Sequence, residues 1–561
     1  MKRNLHKVLA AFVSCTILFA CMGCDKKNPD SGSNNAKELE ALGYQYLDVT
    51  KPIIAEKGAA SYRVITQKNP MAEDYNDMKV FQDLYDKTNV KINWDCLSSS
   101  AYQTQKPLIM SDKSNWPDAI YHSYFSDAEM LRYANRKTFL ALDEYLDYMP
   151  YLKAFLERRP DVRSLINMPD GHFYAFPRVE EMGLMPYSNL LFLNKVWVGE
   201  LIDSGDITFL TKEDLKDGLD LNLDQMEQIL KLFKEKDMNK NGKDDEIPLS
   251  FVYQNWQGNQ CDLYGAFGCP DNVDHRTVLN GKVICTAVTD EFFKATNFYA
   301  GWVQKGYIDK ACFEYNEDTF LASGKATKQK LGAFYWWEAE TVVSDPQNYI
   351  TCNPLIGPNG TRLLGQSNSP EISKNLCVIF STCKNPEILL SYFDRFYEPY
   401  TSSQIAYGPI GVIYEEELDE NGKLVQKPIP EGMTTDEVRI KVAPMGVDIL
   451  DANVWENYLN MEPRAVLRLE RLEKHIKPWS MPGITRLSNP VFTMEEINLL
   501  GTYDTNVYEY VVAMQTKWLL NGGVTQAEFE EFKKKLENLN MAAVLECYQK
   551  GYDRSIGKTV D

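Results

Sequence analysis

Between residues 62 and 121 the apolar pattern changes period repeatedly, and this limits the architecture more than any other feature. Tyr62, Arg63, Val64, Ile65 and Thr66 read as a strand. Residues 79–87 place Val80, Phe81, Leu84 and Tyr85 on one helical face, and residues 90–94 then alternate as a second strand ending at Trp94. After a further helical stretch, residues 116–121 close a loop and open a third strand. Strands separated by helices cannot pair as hairpins. The crossovers favour a parallel sheet with helices on both faces, so the chain belongs to the α/β class.

With 561 residues the chain exceeds one ordinary domain, and 44% hydrophobic content is enough for several cores, so two or more lobes are expected. The first residues carry Lys2, Arg3 and Lys7, and residues 8–24 are uncharged and largely apolar before Asp25, Lys26 and Lys27. This is a secretory signal, too short for a membrane span of roughly 20 apolar residues. Leu18, Phe19, Ala20 and Cys21 resemble a bacterial lipobox, with Cys21 the acylated residue after removal of residues 1–20. Cys24, preceded by Gly23, is the competing site. Residues 25–37 are polar, and 21–45 are expected to be a lipid-anchored tether.

Removal of the signal moves the formal charge from −19 to −22, which disfavours nucleic acid as a partner. Nine further cysteines lie scattered from Cys96 to Cys547, an odd number without a dense framework. Cys261 with Cys269, and Cys377 with Cys383, are near enough to pair, and reduced packed thiols are the alternative.

A second local signal lies at residues 237–248. Asp237, Asn239, Asn241 and Asp245 occupy positions 1, 3, 5 and 9 around Gly242 at position 6, which is the layout of a calcium loop. The glycine supplies the sharp turn, and the carbonyl of Lys243 can add a backbone ligand. Glu246, at position 10, offers the carboxylate that could bind bidentately. Pro248 stands at position 12 and argues against an immediate second helix. Upstream, Leu223, Met226, Leu230 and Phe233 mark a helical face, with Asn222 and Gln225 as its capping box. The same residues would also suit a solvated turn. Four acids, Asp237, Asp244, Asp245 and Glu246, crowd the loop, however, and a structural Ca2+ would relieve their repulsion.

The order of these pieces resembles the family 1 extracellular solute-binding proteins of ABC transporters. The resemblance runs through the strands and helix of residues 62–121, the Gly171–Pro177 segment, Leu191 to Lys195, the helix and calcium loop, Gly332 to Trp337, Ile372 to Lys374 with Cys383 to Glu387, and Tyr407 to Val412. The calcium loop is similar to that of alginate-type binding proteins in the long oligosaccharide-binding branch. There the ligands fall on what are here Asp237, Asn239, Asn241, the Lys243 carbonyl, Asp245 and Glu246. The resemblance implies a two-lobed periplasmic-binding-protein-like (type II) α/β fold. Residues 46–180 and 355–410 would form one lobe, and 181–354 with 411–561 the other. Three hinge crossings are expected near 177–188, 353–360 and 407–412. It also implies a monomer, lipid-anchored on the extracytoplasmic face of the cell membrane, that captures an oligosaccharide and delivers it to ABC permease subunits.

Sugars present C–H faces rimmed by hydroxyls, so flat aromatic rings beside amides and carboxylates suit a glycan cleft. Trp256 lies among Asn255, Gln257, Asn259 and Gln260, and Trp336 and Trp337 precede Glu338. Trp94, Tyr121, His122 and Tyr124 follow strand ends of the first lobe, where ligands of open α/β sheets bind. Tyr407 stands at the expected third crossing. The candidate ligand-binding residues are thus Trp94, Tyr121, Tyr124, Trp256, Trp336, Trp337 and Tyr407; each also suits a core or rim position. No Gly-x-Ser-x-Gly elbow, Walker loop or close histidine metal pair is present, and five histidines are scattered through the chain. The chain reads as a non-enzyme. A glycan-active enzyme, which needs only two suitably spaced carboxylates, and a peptide-binding receptor of the same architecture are the alternatives.

Overall fold

The computed structural model describes residues 32–187, 189–367, 371–430, 433, 435–487 and 490–560. The expected signal, Cys21 and Cys24 lie outside the described residues. The expected alternation of strands and helices is present. Ser61–Gln67 runs parallel to both Lys91–Leu97 and Ala119–Tyr121, with Val64 opposite Trp94 and Ala119. Between the first two, helix Lys79–Thr88 buries Val80, Phe81 and Leu84.

These strands belong to a six-stranded sheet completed by Ile372–Ile379, Ala175–Glu180 and Ile449–Leu450. Ile372–Ile379 runs against both neighbours, and Ile449–Leu450 is parallel to Ala175–Glu180. Successive residues of one strand feed opposite faces. Val64, Tyr121 and Phe176 join one core with Trp94, Phe393 and Phe396, whereas Ile65, Ile120 and Val378 join another with Tyr102 and Phe380.

The second lobe is built on the sheet Tyr349–Cys352, Leu190–Asn194, Leu331–Trp336 and Ile247–Ser250. Every residue of Leu190–Asn194 and Leu331–Trp336 is buried, as expected of central strands covered on both faces. Helix Leu223–Glu235 packs Met226, Ile229, Leu230 and Phe233 into this core. Its capping box is complete: Gln225 N–H donates to Asn222 Oδ1 and Asn222 N–H to Gln225 Oε1, both at 2.9 Å. A third sheet joins Leu364–Ser367, Ser480–Arg486, Arg276–Leu279 and Lys282–Cys285. Arg276–Leu279 and Lys282–Cys285 form a hairpin about Asn280 and Gly281, a local signal not singled out from the sequence. Leu364–Ser367 and Ser480–Arg486 come from distant parts of the chain, so their pairing has no local pattern.

The chain first passes from one sheet to another between Ala175–Glu180 and Leu190–Asn194. The expected second and third crossings differ. Residues 353–356 still bond to the second lobe, Asn353 N–H to Leu219 O at 2.8 Å and Ile356 N–H to Leu221 O at 3.0 Å. The second crossing therefore runs between Ser367 and Ile372. Tyr407 and Ile413 pack with Tyr414, Leu424, Leu450, Val454 and Leu459 beside the first sheet, so residues 407–412 do not cross. The third crossing comes after Leu459 and before helix Pro463–His475, whose Leu472 joins the second lobe. Proline and glycine at 353–360 and 407–412 mark local turns rather than lobe boundaries, and the expected divisions at 355 and 411 shift accordingly.

Helix Met494–Leu520 then ties the lobes together. Its Ile497 joins a core of the first lobe, while Val507, Val511 and Trp518 enter the core of the second. At about 1.5 Å per residue its length is roughly 40 Å, enough to reach both. Helix Gln526–Asn538 buries Phe529, Phe532 and Leu536 behind the Thr525–Glu528 capping box.

The polar stretch read as tether is helical from Gly32 to Ala41. Leu39, Leu42 and Tyr44 pack against the first-lobe core, and Asn35 Nδ2 donates to Glu387 Oε1 at 2.9 Å. These apolar contacts, just beyond the polar run, dock the segment. Cys261, Cys269, Cys377 and Cys383 are free buried thiols, so neither close pair is bridged. Among the described residues no helix is long and apolar enough to cross a membrane.

Candidate functional site

Helix Leu223–Glu235 delivers the chain to Asp237, and the loop folds back through two left-handed residues, Lys240 (φ 55°) and Gly242 (φ 76°). Asp237 accepts from the backbone N–H groups of Asn241 at 3.0 Å and Gly242 at 2.8 Å. Asn239 Oδ1 accepts from Asn241 N–H at 3.1 Å, and Asn241 Oδ1 from Lys243 N–H at 2.8 Å. Glu246 is buried and accepts from Asn239 N–H at 3.1 Å. The loop leaves into strand Ile247–Ser250, as Pro248 foreshadowed, rather than into a second helix.

The two side-chain amides converge. Asn239 Nδ2 and Asn241 Nδ2 both donate to Asp245 Oδ1, at 3.1 and 2.9 Å. Rotating either amide by half a turn would aim its carbonyl oxygen at the same point, at the cost of the bond its Oδ1 now accepts from Asn241 N–H or Lys243 N–H. Asp245 also pairs with Lys330 at 2.9 Å. Lys330, with Asn241 and Asn239, holds its carboxyl down at about 2. Asp244 turns away to Lys234 at 2.9 Å. Among the described residues no three Asp, Glu, His or Cys side chains form a metal cluster by themselves. Here amides and a main-chain carbonyl would have to complete the oxygen set, which is the donor chemistry of a hard cation such as Ca2+.

The second-lobe aromatics gather beside the loop that follows Ile247–Ser250. This loop is closed by Val252 N–H to Gly258 O at 2.9 Å, and Asn259 Nδ2 donates to Asn255 O at 2.9 Å. Gly258 (φ 63°) lies so close to the Trp336 ring that a Cβ would come within 2.1 Å of Cε3, so only glycine fits. Trp256 rides at the tip and is 58% exposed. It meets Trp337 edge to face, with centroids 6.2 Å apart. The Arg468 guanidinium lies 4.6 Å from the Trp337 centroid. Burial, against the pull of Glu338, lowers the Arg468 guanidinium to about 10. Trp336, by contrast, is fully buried and packs on Phe320 at 5.3 Å. It is the last residue of its strand and points into the core, whereas Trp337 is the first residue beyond.

The loop is also anchored from behind. His275 Nδ1 faces both oxygens of Asp271 at 3.1 Å, and Gln254 Nε2 lies 3.0 Å from His275 Nε2 and 2.9 Å from Gln515 Oε1. Gln254 Oε1, Gln257 Oε1, Gln260 Nε2, Trp337 Nε1 and Arg468 Nε are buried without a hydrogen-bond partner among the described residues. Similar open atoms occur elsewhere, as at Trp336 Nε1 and Trp518 Nε1 in the cores, but here five lie within one loop and its neighbours, where a polar ligand could meet them. Gln254 and Arg468 were not singled out from the sequence. Arg468 lies far from Trp337 along the chain, so no local pattern could have found it.

In the first lobe, Trp94 and Tyr121 are core aromatics. Their centroids are 5.5 Å apart, and the Tyr121 hydroxyl accepts from Val447 N–H at 2.8 Å. Their rings fill the interior and present no open face. Tyr124 is different: at φ 43° it is 56% exposed and stacks on the buried His122 imidazole at 5.9 Å. Tyr407 is buried under Arg439, which lies 4.2 Å from its centroid, and its hydroxyl is 3.5 Å from Glu180 Oε1. Arg178 pairs with Glu180 and stands 3.4 Å from the buried Asp448. Burial pushes the Asp448 carboxyl up to about 8. The structure thus leaves Tyr124, Trp256 and Trp337 as the candidate rings with accessible surroundings. Trp94, Tyr121, Trp336 and Tyr407 are packed.

No family model matches the sequence. The chain is 28% identical over 537 residues, 93% of its length and 95% of the other, to the fructooligosaccharide ABC transporter substrate-binding protein FusA of Streptococcus pneumoniae. The structure of FusA in complex with kestose superposes with a TM-score of 0.79, covering 88% of this chain and 99% of that one. An EF-hand mutant of FusA, 27% identical, has been solved with fructo-nystose. Two more distant structures share the fold. One is a solute-binding protein of Bifidobacterium longum infantis (TM-score 0.74, 21% identity, 90% of this chain and 100% of that one). The other is the alginate-binding protein AlgQ2 (0.65, 20%, 89% and 98%). With its α/β lobes and this likeness along nearly its whole length, the chain is a homologue of FusA, an ABC transporter substrate-binding protein.

Proposed function

We propose that this protein captures an oligosaccharide between its two lobes and hands it, unaltered, to an ABC permease. The observation that carries this reading is the end-to-end likeness to FusA, whose structures hold kestose and fructo-nystose. Fructo-oligosaccharides are accordingly the first ligand class to test. The exposed Trp256, braced by Trp337 and Arg468, supplies an aromatic face in the second lobe, and Tyr124 on His122 supplies one in the first. Rings with amides nearby suit the C–H faces and hydroxyls of sugars. Closure of the lobes on such a ligand needs differential contacts in the two states and no covalent step.

In this reading Asp237, Asn239, Asn241, the Lys243 carbonyl, Asp245 and Glu246 hold a structural Ca2+. The ion neutralises the loop's acids and fixes the entry of strand Ile247–Ser250. Cys21, with Cys24 as the alternative, carries the lipid that keeps the protein on the extracytoplasmic face of the membrane, and the protein acts as a monomer. A thermal-shift panel of kestose, nystose, alginate oligosaccharides and short peptides tests the ligand class, followed by chromatography of the incubated sugar. Stabilisation by an intact fructo-oligosaccharide supports capture. Sugar breakdown would favour a glycan-active enzyme, and response to peptides alone a peptide receptor.

A further inference from the structure

The Glu371 side chain joins the first and second crossings. Glu371 immediately precedes Ile372–Ile379 of the first-lobe sheet, where Ile372 pairs with Val179. Its carboxylate reaches into the first crossing and accepts from three successive main-chain N–H groups. Oε2 takes Gly183 N–H at 2.8 Å, and Oε1 takes Leu184 N–H at 2.9 Å and Met185 N–H at 2.8 Å. Gly183 (φ 76°) turns these donors to one side, forming a concave nest for an anion. The Glu371 carbonyl also accepts from Glu180 N–H at 3.1 Å.

The residues on the two sides of this clamp belong to different lobes. Leu184 is buried in the second-lobe cluster with Trp336, Leu472 and Ile476, while Glu371 is continuous with a strand of the first. Helix Pro463–His475, which follows the third crossing, packs alongside: Leu469 Cδ2 lies 3.9 Å from where a Cβ on Gly183 would stand. Rotation of one lobe against the other must pivot at, or break, these three charge-assisted hydrogen bonds. The pairing costs Glu371 a left-handed backbone, φ 56°, which a non-glycine residue adopts only when its surroundings demand it.

We propose that Glu371 is a positioning residue that sets the angle between the lobes in the ligand-free protein, and through that angle the affinity for ligand. The second half of the statement rests on the capture reading; the first does not. By adding acceptors on one crossing for donors on the other, the carboxylate favours one arrangement of a two-state hinge, and a ligand binds with whatever affinity that population permits.

Small-angle X-ray scattering of the ligand-free protein, wild type against Glu371→Ala and Glu371→Gln, tests the first half. The expected result is a shifted radius of gyration for Glu371→Ala. A smaller shift is expected for Glu371→Gln, which keeps one acceptor oxygen but replaces the other by a donor. Kestose affinity should change with it by at least about fivefold, the lower end of ordinary coupling between sites. Scattering that superimposes on wild type in both variants overturns the proposal, even if their melting temperatures fall. A scattering shift in proteins that, like the wild type, ignore kestose would support the hinge role and sink the capture reading instead. Should neither variant fold, hydrogen exchange on the wild type decides: slow exchange at the amides of 183–185 supports the clamp, and exchange at the unprotected rate overturns it.

Discussion

Trp256 and Trp337 stand edge to face, their planes 83° apart, with the outer ring largely in solvent and the inner one covered by Arg468. The pair has the geometry of a braced platform, because the inner indole and the close Gly258 approach fix the loop that carries the outer one.

Trp256→Ala should therefore weaken kestose binding by about 2 kcal/mol, roughly 30-fold, as loss of a central aromatic anchor does. Stability should change little, since exposed substitutions stay within about 0.5 kcal/mol. Calorimetric titration beside a melting curve separates the two effects. Unchanged affinity would remove Trp256 from the site.

Trp336→Ala should behave in the opposite way. The ring is wholly buried among Phe320, Phe334 and Val342, so its removal leaves a cavity and should cost about 3–5 kcal/mol. Denaturant titration followed by a second-lobe probe is the measurement. A loss below about 1 kcal/mol would mean the ring is not part of the core.

Chelation should lower the melting temperature by several degrees, because an ion that binds only the folded loop at a hundred times its Kd contributes about 2.7 kcal/mol. Asp245→Asn should lower the melting temperature in calcium and remove the response to chelator. Lys330→Ala should tighten calcium binding, since the ammonium 2.9 Å from Asp245 competes with the ion. Melting curves identical with and without chelator would speak against a bound cation.

His122 gives a pH dependence with a definite sign. Burial pushes its imidazole down to about 4, with the Arg178 charge acting in the same direction. The unfolded chain, titrating near 6.5, takes up the proton first, so folding stability falls as pH drops from about 6.5 to 4. The shift corresponds to about 3 kcal/mol. His122→Asn, which tolerates the local φ of 54°, should flatten this limb relative to wild type. Parallel pH–stability curves for the two proteins would contradict the assignment.

Local order was legible in the sequence wherever it depended on neighbours. The Asn222–Gln225 capping box, the face of helix Leu223–Glu235 and the spacing of Asp237 to Asp245 are set within a few residues, and the structure contains the helix and the folded loop. Partners brought together from afar were not legible. Whether Trp336 or Trp337 faces outward turns on the single residue at which strand Leu331–Trp336 ends, and apolar content gives no hint of that end. Tyr121 follows a strand end, as a ligand contact would, yet its hydroxyl is taken by Val447 from a distant loop. The second and third crossings were misplaced because glycine and proline mark turns of any kind, whereas a crossing is defined by which sheet the next strand joins. Glu371, a lone glutamate in sequence, acquires three amide partners only when the crossings meet.

The central claim is tested most directly by titrating the purified protein with kestose in a calorimeter and recovering the sugar afterwards. The account predicts saturable binding of one kestose per chain, weakened roughly 30-fold in Trp256→Ala, with the trisaccharide returned intact. No heat with any fructo-oligosaccharide, or recovery of cleaved sugar, would contradict it.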